Sequence, residues 1–222
     1  MRTHLLLDLD GTLSDSSTGI GRSLQHAFTE CGYDAPTDAD VRAAIGPPFE
    51  ITFPRLGIPE HDIERVVDSY RVRYETVGLF ENELYPGIVE MLTALSETYT
   101  LAVATAKPEV TAVRIVEHFG LSGFFEVQAG ATLEVGSHRR TKSEVIAHAL
   151  DRLDVDAGDH VLMIGDRDHD VEGAQHHGID CIGVAWGFGS HDELAAAGAA
   201  AIVEHPADVA AAVASTYRAV SR

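Results

Sequence analysis

The chain has 222 residues, 45% of them apolar, and a formal net charge of −19. That length can bury one full core plus a smaller accessory unit, and that apolar share excludes a disordered chain. The acidity excludes a broad nucleic-acid surface, which needs clustered Lys and Arg, and no apolar run reaches membrane-spanning length.

Residues 4–9 are predicted as the first strand, where Leu5, Leu6 and Leu7 lead into Asp8-Leu9-Asp10-Gly11-Thr12. An aspartate this early is too soon for a signal peptide. Alternation along a strand places the Asp8 and Asp10 side chains on one face. Two acids so placed repel each other unless a divalent cation or a shared proton intervenes. Residues 17–31 read as a helix stopped by Gly32, and Thr37 caps another that runs to about Ile45. Gly46-Pro47-Pro48 breaks it, a brief helical piece follows near Phe49–Phe53, and residues 60–77 are helical again. The stretch 16–83 holds no convincing strand.

From Pro86 the pattern alternates. Helices over 86–97, 108–119, 142–153, 168–177 and near 191–197 separate strands at 100–105, 124–129, 160–164, 181–184 and 201–203, and Pro206 opens a last helix. Such alternation implies an α/β core with a parallel sheet covered on both faces. We therefore expect a core of 1–15 plus 84–222, interrupted by a helical insertion at 16–83 that sits above the strand ends as a lid. Chemistry in such sheets gathers beyond the carboxyl ends of the strands. Here those ends carry Asp8 and Asp10, then Thr105-Ala106-Lys107, then Gly165-Asp166-Arg167-Asp168-His169-Asp170.

The cations sharpen this reading. Of sixteen Lys and Arg residues only Lys107 and Lys142 are lysine, and both sit beside other candidate site residues. Lysine offers a compact point charge where arginine offers a wide fork, so a tight anion pocket would not tolerate the exchange. Lys142 opens a helix, where the dipole is already positive; a stability role is therefore disfavoured there. Thr105 is expected either to contribute its hydroxyl to an anion cradle or simply to cap the next helix. Asp166 and Asp170, one helical turn apart, can face one point. Paired with Asp8 and Asp10 they suggest an all-oxygen site, which suits Mg²⁺. An EF-hand fails, because its glycine would fall on Val171 and its closing glutamate on His177. The histidines lack zinc spacing, the glycines at 187–189 read as a turn near the crevice, and Cys31 and Cys181 read as free thiols in a reducing, cytoplasmic setting.

These pieces in this order resemble the haloacid dehalogenase superfamily, specifically its phosphatases with a helical cap. Asp8-Leu9-Asp10-Gly11-Thr12-Leu13 is similar to the first motif, Thr105 to the second, Lys142 to the third, and Gly165-Asp166-Arg167-x-x-Asp170 to the fourth. Gly46-Pro47-Pro48, Gly78-Leu79-Phe80-Glu81-Asn82, Tyr85-Pro86-Gly87, Ala104-Thr105-Ala106-Lys107-Pro108 and Gly173-Ala174 resemble the phosphoglycolate phosphatase and 5′-nucleotidase-like branch. Two departures are Ala106, where Thr-Ser-Lys-Pro is usual, and a third motif unlike the usual Lys-Pro-x-Pro, which leaves Lys107 as the alternative to Lys142.

The resemblance implies a Rossmann-like three-layer sheet core with an inserted cap. It implies an aspartyl phosphate on Asp8, with Asp10 as acid and base and Thr105 and Lys142 holding the phosphoryl group. Mg²⁺ would lie among Asp8, Asp10 (through its backbone carbonyl), Asp166 and Asp170. Substrate contacts are expected from Thr105, Ala106, Lys107 and Lys142, and from Gly46 and Arg71 of the cap. The expected substrate is a small phosphorylated metabolite, such as phosphoglycolate or a nucleoside 5′-monophosphate, handled by a monomer or homodimer. The alternatives are a haloacid dehalogenase-type hydrolase, which usually lacks the second aspartate, and a non-catalytic phosphate-binding module, which would be expected to have lost a motif acid.

Overall fold

The computed structural model describes residues 4–46, 49–132, 139–158 and 160–220, with the side chains of Glu50 and 217–220 excepted. Pro47 and Pro48, and 133–138 of the loop before Lys142, lie outside the described residues. The chain divides into two compact units, Met1–Ser14 with Leu84–Arg222, and Asp15–Glu83.

In the larger unit, β1 (His4–Leu7) is flanked by β4 (Thr100–Pro108) and β6 (Val161–Gly165). With β5 (Phe125–Ala131), β7 (Asp180–Val184) and β8 (Ala201–Val203) they form a six-stranded sheet in the order β5-β4-β1-β6-β7-β8. Every pairing in it is parallel. Leu5, Leu6 and Leu7 are wholly buried at its centre, which is why an uninterrupted leucine run suits β1. The helices α7 (Lys142–Leu153) and α8 (Asp168–Gln175) lay Val145, Ile146, Ala149, Val171 and Ala174 into one core with Leu6, Ala102, Val127 and Met163. Two more helices, α5 (Ile88–Ser96) and α6 (Glu109–His118), pack against β4. The last two are α9 (His191–Ala197) and α10 (Val209–Val220).

Two of the strand ends that differ from expectation lie at the functional edge. β1 stops at Leu7 rather than residue 9. The Asp8 amide still donates to the Ile164 carbonyl (3.0 Å), but the Leu13 and Ser14 amides then fold back onto the Leu9 carbonyl. Gly11 makes that turn with φ +89°, and a Cβ there would also overlap the Asp166 carboxylate. β4 runs past Thr105 to Pro108 because its register against β5 shifts between those residues, and the extra length carries Ala106 and Lys107. Thr105 is therefore inside a strand and caps no helix; Pro108 stands at the N-cap of α6.

The smaller unit contains α1 (Ser17–Glu30), α2 (Asp38–Ala44), α3 (Phe49–Arg55) and α4 (Ile63–Thr76). The Thr37 hydroxyl accepts from the Asp40 amide as a capping box, which satisfies an amide that would otherwise be orphaned. Phe28, Phe53 and Tyr74 are buried, and Phe49 stacks on Phe53 at 4.6 Å. The short strands β2 (Ser14–Asp15) and β3 (Glu83–Leu84) carry the chain at the two points where it passes between units.

Candidate active site

Lys142 is the hub of the site. Its ammonium lies 2.7 Å from Asp8 Oδ1 and 2.7 Å from Asp170 Oδ1, and it donates to the Ala104 carbonyl at 3.0 Å. The carbonyl accepts a hydrogen bond, and the two carboxylate oxygens pair with the ammonium's charge. The position follows from the sequence around it. Thr141 and Glu144 form a capping box that starts α7 one residue earlier, and Gly173 of α8 leaves room for the lysine stem. A Cβ at Gly173 would stand 2.8 Å from Lys142 Cγ. Burial opposes the lysine's charge, but Asp170 and Asp8 outweigh it and hold the ammonium protonated well above the usual lysine range.

The carboxylates divide by their surroundings. Asp170 Oδ2 accepts from the Asp166 and Arg167 amides, each at 3.0 Å, at the N-terminus of α8. Burial would raise its pKa; Lys142 outweighs burial, with His169 and the Arg167 amide helping, and its carboxyl sits below the ordinary range. Burial pushes Asp8 upward, with Asp170 adding to it and Lys142 opposing. Asp166 is pushed up furthest, by burial first and then by Asp170 and Asp8. Two donors resist that rise: the Phe188 amide to Oδ2 (2.8 Å) and the Thr12 hydroxyl to Oδ1 (3.1 Å).

One ligand oxygen from each of Asp8, Asp166 and Asp170 falls within 4.8 Å of the others, and all three residues are buried. When all are ionised, three carboxylates facing one ammonium leave two negative charges uncompensated. A divalent cation supplies that charge, and an all-oxygen donor set fits a hard one. The cluster can therefore bind a metal ion.

Asp10 stands apart from these three. Its carboxylate is not one of the three that converge, and β1 has ended at Leu7 before either Asp8 or Asp10 is reached. The Asp10 carboxylate instead pairs with Lys107, with Nζ 2.6 Å from Oδ2. This leaves its backbone carbonyl as the atom for the metal role that the resemblance implied. Thr105 is buried, its hydroxyl accepting from the Lys107 amide at 3.3 Å, and Ala106 between them is half-buried. Gly46 and Arg71 belong to the other unit. Gly46 is exposed just beyond α2, and Arg71 is exposed on α4 with Asp68 3.8 Å away.

From the sequence, 187–189 reads only as a turn near the crevice, and the segment 185–189 is given no role in the site. The Trp186 ring nitrogen donates to the Thr12 carbonyl (3.1 Å), and the Phe188 amide holds Asp166. Gly187 passes so close to Asp166 and Gly11 that a Cβ would overlap both. A Trp flanked by small residues after a buried strand was the available signal. Glu193 adds a further tie, accepting from Arg167 Nε (2.7 Å) and the Asp168 amide (3.1 Å).

The sequence profile of the haloacid dehalogenase-like hydrolases matches residues 5–184, which span every residue of this cluster. The chain belongs to that family. A 5′-nucleotidase from Pseudomonas aeruginosa is 44% identical over 195 residues, covering 87% of each protein. A phosphoglycolate phosphatase from Agrobacterium fabrum is 30% identical, over 82% of this chain and 80% of that one. The tyrosine-protein kinase PtkA of Mycobacterium tuberculosis is 43% identical over 85% of this chain, which spans only 64% of that protein. A crystal structure named as a predicted phosphatase from Clostridium acetobutylicum superposes with a TM-score of 0.89 at 34% identity, covering 97% of this chain and 99% of that one. Family, fold and phosphatase relatives make this haloacid dehalogenase-like protein a phosphoric monoester hydrolase. Among the described residues no helix is long and apolar enough to cross a membrane.

Proposed function

We propose that the enzyme is a Mg²⁺-dependent phosphatase acting on a small phosphate monoester, of the phosphoglycolate or nucleoside 5′-monophosphate type, through an aspartyl phosphate on Asp8. The observation that carries this reading is the buried contact of Asp8 with Lys142, with Asp166 and Asp170 alongside. Lys142 holds the Asp8 carboxylate in one orientation and cancels part of its charge, so an oxygen nucleophile and an incoming phosphate can approach. In the first step an Asp8 oxygen bonds to phosphorus while the ester oxygen leaves, and Asp10 gives that oxygen its proton. In the second, Asp10 takes a proton from water, which attacks the same phosphorus and releases Asp8. Thr105 and Lys142 contact the phosphoryl oxygens, a positioning and electrostatic role that dominates this chemistry. Asp8, Asp166, Asp170 and the Asp10 carbonyl would hold Mg²⁺, which would supply positive charge to offset repulsion between carboxylate and phosphate.

Two relatives named for hydrolysis of small phosphate esters support the substrate class, and the intact pair Asp8 and Asp10 argues against dehalogenation. The test is a panel of phosphomonoesters assayed for inorganic phosphate with and without Mg²⁺. The wild type should release phosphate from at least one small ester only when Mg²⁺ is present, and Asp8→Asn should release none. Turnover by Asp8→Asn near the wild-type rate, or wild-type turnover unaffected by chelation, overturns the reading. Phosphate delivered to a tyrosine side chain instead of water would favour the chemistry for which PtkA is named.

A further inference from the structure

We propose that Lys107 is the positioning residue of Asp10: it fixes the carboxylate that moves the proton to the leaving group, rather than gripping the phosphoryl group itself. This deepens the functional reading above and rests on the acid–base role given there to Asp10.

Three observations carry it. First, the two groups form a close, sheltered pair, 2.6 Å apart with side-chain exposures of 6% and 14%. Second, the pair tethers only one Asp10 oxygen. Oδ2 meets the ammonium, while Oδ1 is buried and has no hydrogen-bond partner among the described residues. A carboxylate held by one oxygen, with the other committed to no hydrogen bond, keeps that oxygen available for proton transfer. Third, the backbone on both sides is built to hold the pair. Asp10 lies in the tight turn closed by the Leu13 and Ser14 amides on the Leu9 carbonyl. Lys107 lies in the irregular end of β4, where the register shifts between Thr105 and Pro108. Gly130 of β5 lets that irregular segment pass, since a Cβ there would stand 2.6 Å from the Lys107 carbonyl. Without the shift, strand alternation would continue unbroken from Thr105, and Lys107 would sit where Thr105's face dictates.

The two lysines thereby take separate duties. Lys142 faces the nucleophile, Asp8, and Lys107 faces the proton carrier, Asp10. Lysine rather than arginine suits both, because each brings a compact ammonium within 2.7 Å of a carboxylate oxygen.

The role predicts a dependence on the leaving group. An alkoxide needs a proton as it departs, whereas p-nitrophenolate leaves without one. The experiment measures kcat/KM for wild type, Lys107→Met, Asp10→Asn and the double variant, on glycerol 3-phosphate and on p-nitrophenyl phosphate with Mg²⁺ present. Lys107→Met should cut kcat/KM for the alkyl ester about 10-fold or more, and for the nitrophenyl ester less than about 3-fold. In the Asp10→Asn background Lys107→Met should add less than about 2-fold on either ester, since a residue acting through Asp10 has nothing left to position. Equal losses on both esters, or losses that multiply in the double variant, assign Lys107 to direct phosphate contact and overturn the proposal; so does an unchanged Lys107→Met. If Lys107→Met does not fold, Lys107→Gln, which keeps a donor toward Asp10, must give the same ester split at reduced size, and its absence overturns the proposal equally. A wild type inert on every ester of the phosphomonoester panel overturns the functional reading, and this assignment with it, which distinguishes the two failures.

Discussion

Lys142 makes the strongest single-residue case. Its side chain is 2% exposed and joins two carboxylates from different strand ends. Removing one member of such a set leaves buried charge without compensation, at a cost of about 3–5 kcal/mol. Lys142→Met should therefore abolish turnover and lower the melting temperature together. Lys142→Arg should also fail, because the guanidinium is wider and the stem lies so close to Gly173 that even an added Cβ there would stand 2.8 Å from Cγ; kinetics and thermal unfolding of both variants check this. At this scale much of the site could be read from the chain. The scarcity of lysine pointed to positions 107 and 142, and the acids at 8, 166 and 170 converge in space. What could not be read was the partner of each group. The Asp10–Lys107 pair depends on a turn at Gly11 and a register shift in β4, and neither leaves a periodic signal.

Among elements, the segment after β7 matters most. It brings the Phe188 amide onto Asp166 and ties Trp186 to the Thr12 carbonyl, so the orientation of one candidate metal ligand is set from another strand end. Groups that orient a ligand commonly change metal affinity 10–100-fold when lost. Gly187→Ala forces a Cβ into Asp166 and should weaken Mg²⁺ binding by about 10-fold or more. Trp186 is the chain's sole tryptophan, so its fluorescence during a Mg²⁺ titration reports the binding directly. An unchanged titration would show that the segment does not hold Asp166. Strand and helix periodicity exposed the alternating core, down to the capping at Thr37 and the start of α7 at Lys142. The turn at 187–189 was legible near the crevice, but its hold on Asp166 was not, because that comes from close backbone approach, which only three-dimensional neighbours reveal.

For the molecule as a whole, the cluster links stability to pH and to cations. Asp166 holds its proton above the ordinary carboxylate value of 3.8 in the folded state, because burial and its acidic neighbours disfavour the charge. The folded chain then binds more protons than the unfolded one once pH rises past that value. Stability contributed by this group is lost as pH climbs through the raised folded pKa. Asp170 acts oppositely, stabilising above 3.8 and losing that contribution only as pH falls through its lowered value. Metal-free protein should thus melt at lower temperature as pH rises above 3.8 and through the raised folded value, by roughly 2–4 °C for each kcal/mol lost. Asp166→Asn, which keeps an acceptor but removes the charge, should flatten that slope in metal-free protein. Mg²⁺ should flatten it in the wild type by binding the folded state alone. Thermal unfolding across pH with chelator or Mg²⁺ checks each part, and a wild-type slope indifferent to Mg²⁺ would separate the carboxylate cluster from cation binding.

The measurement closest to the central claim is chemical trapping of the phosphorylated enzyme. Wild-type protein is mixed with a turned-over phosphate ester and Mg²⁺, then acid-quenched. Borohydride reduces any acyl phosphate, and the modified residue is located by peptide mass spectrometry. The account predicts reduction at Asp8 alone, dependent on both substrate and Mg²⁺. Modification at another residue, or none at Asp8 while phosphate is released, would contradict it.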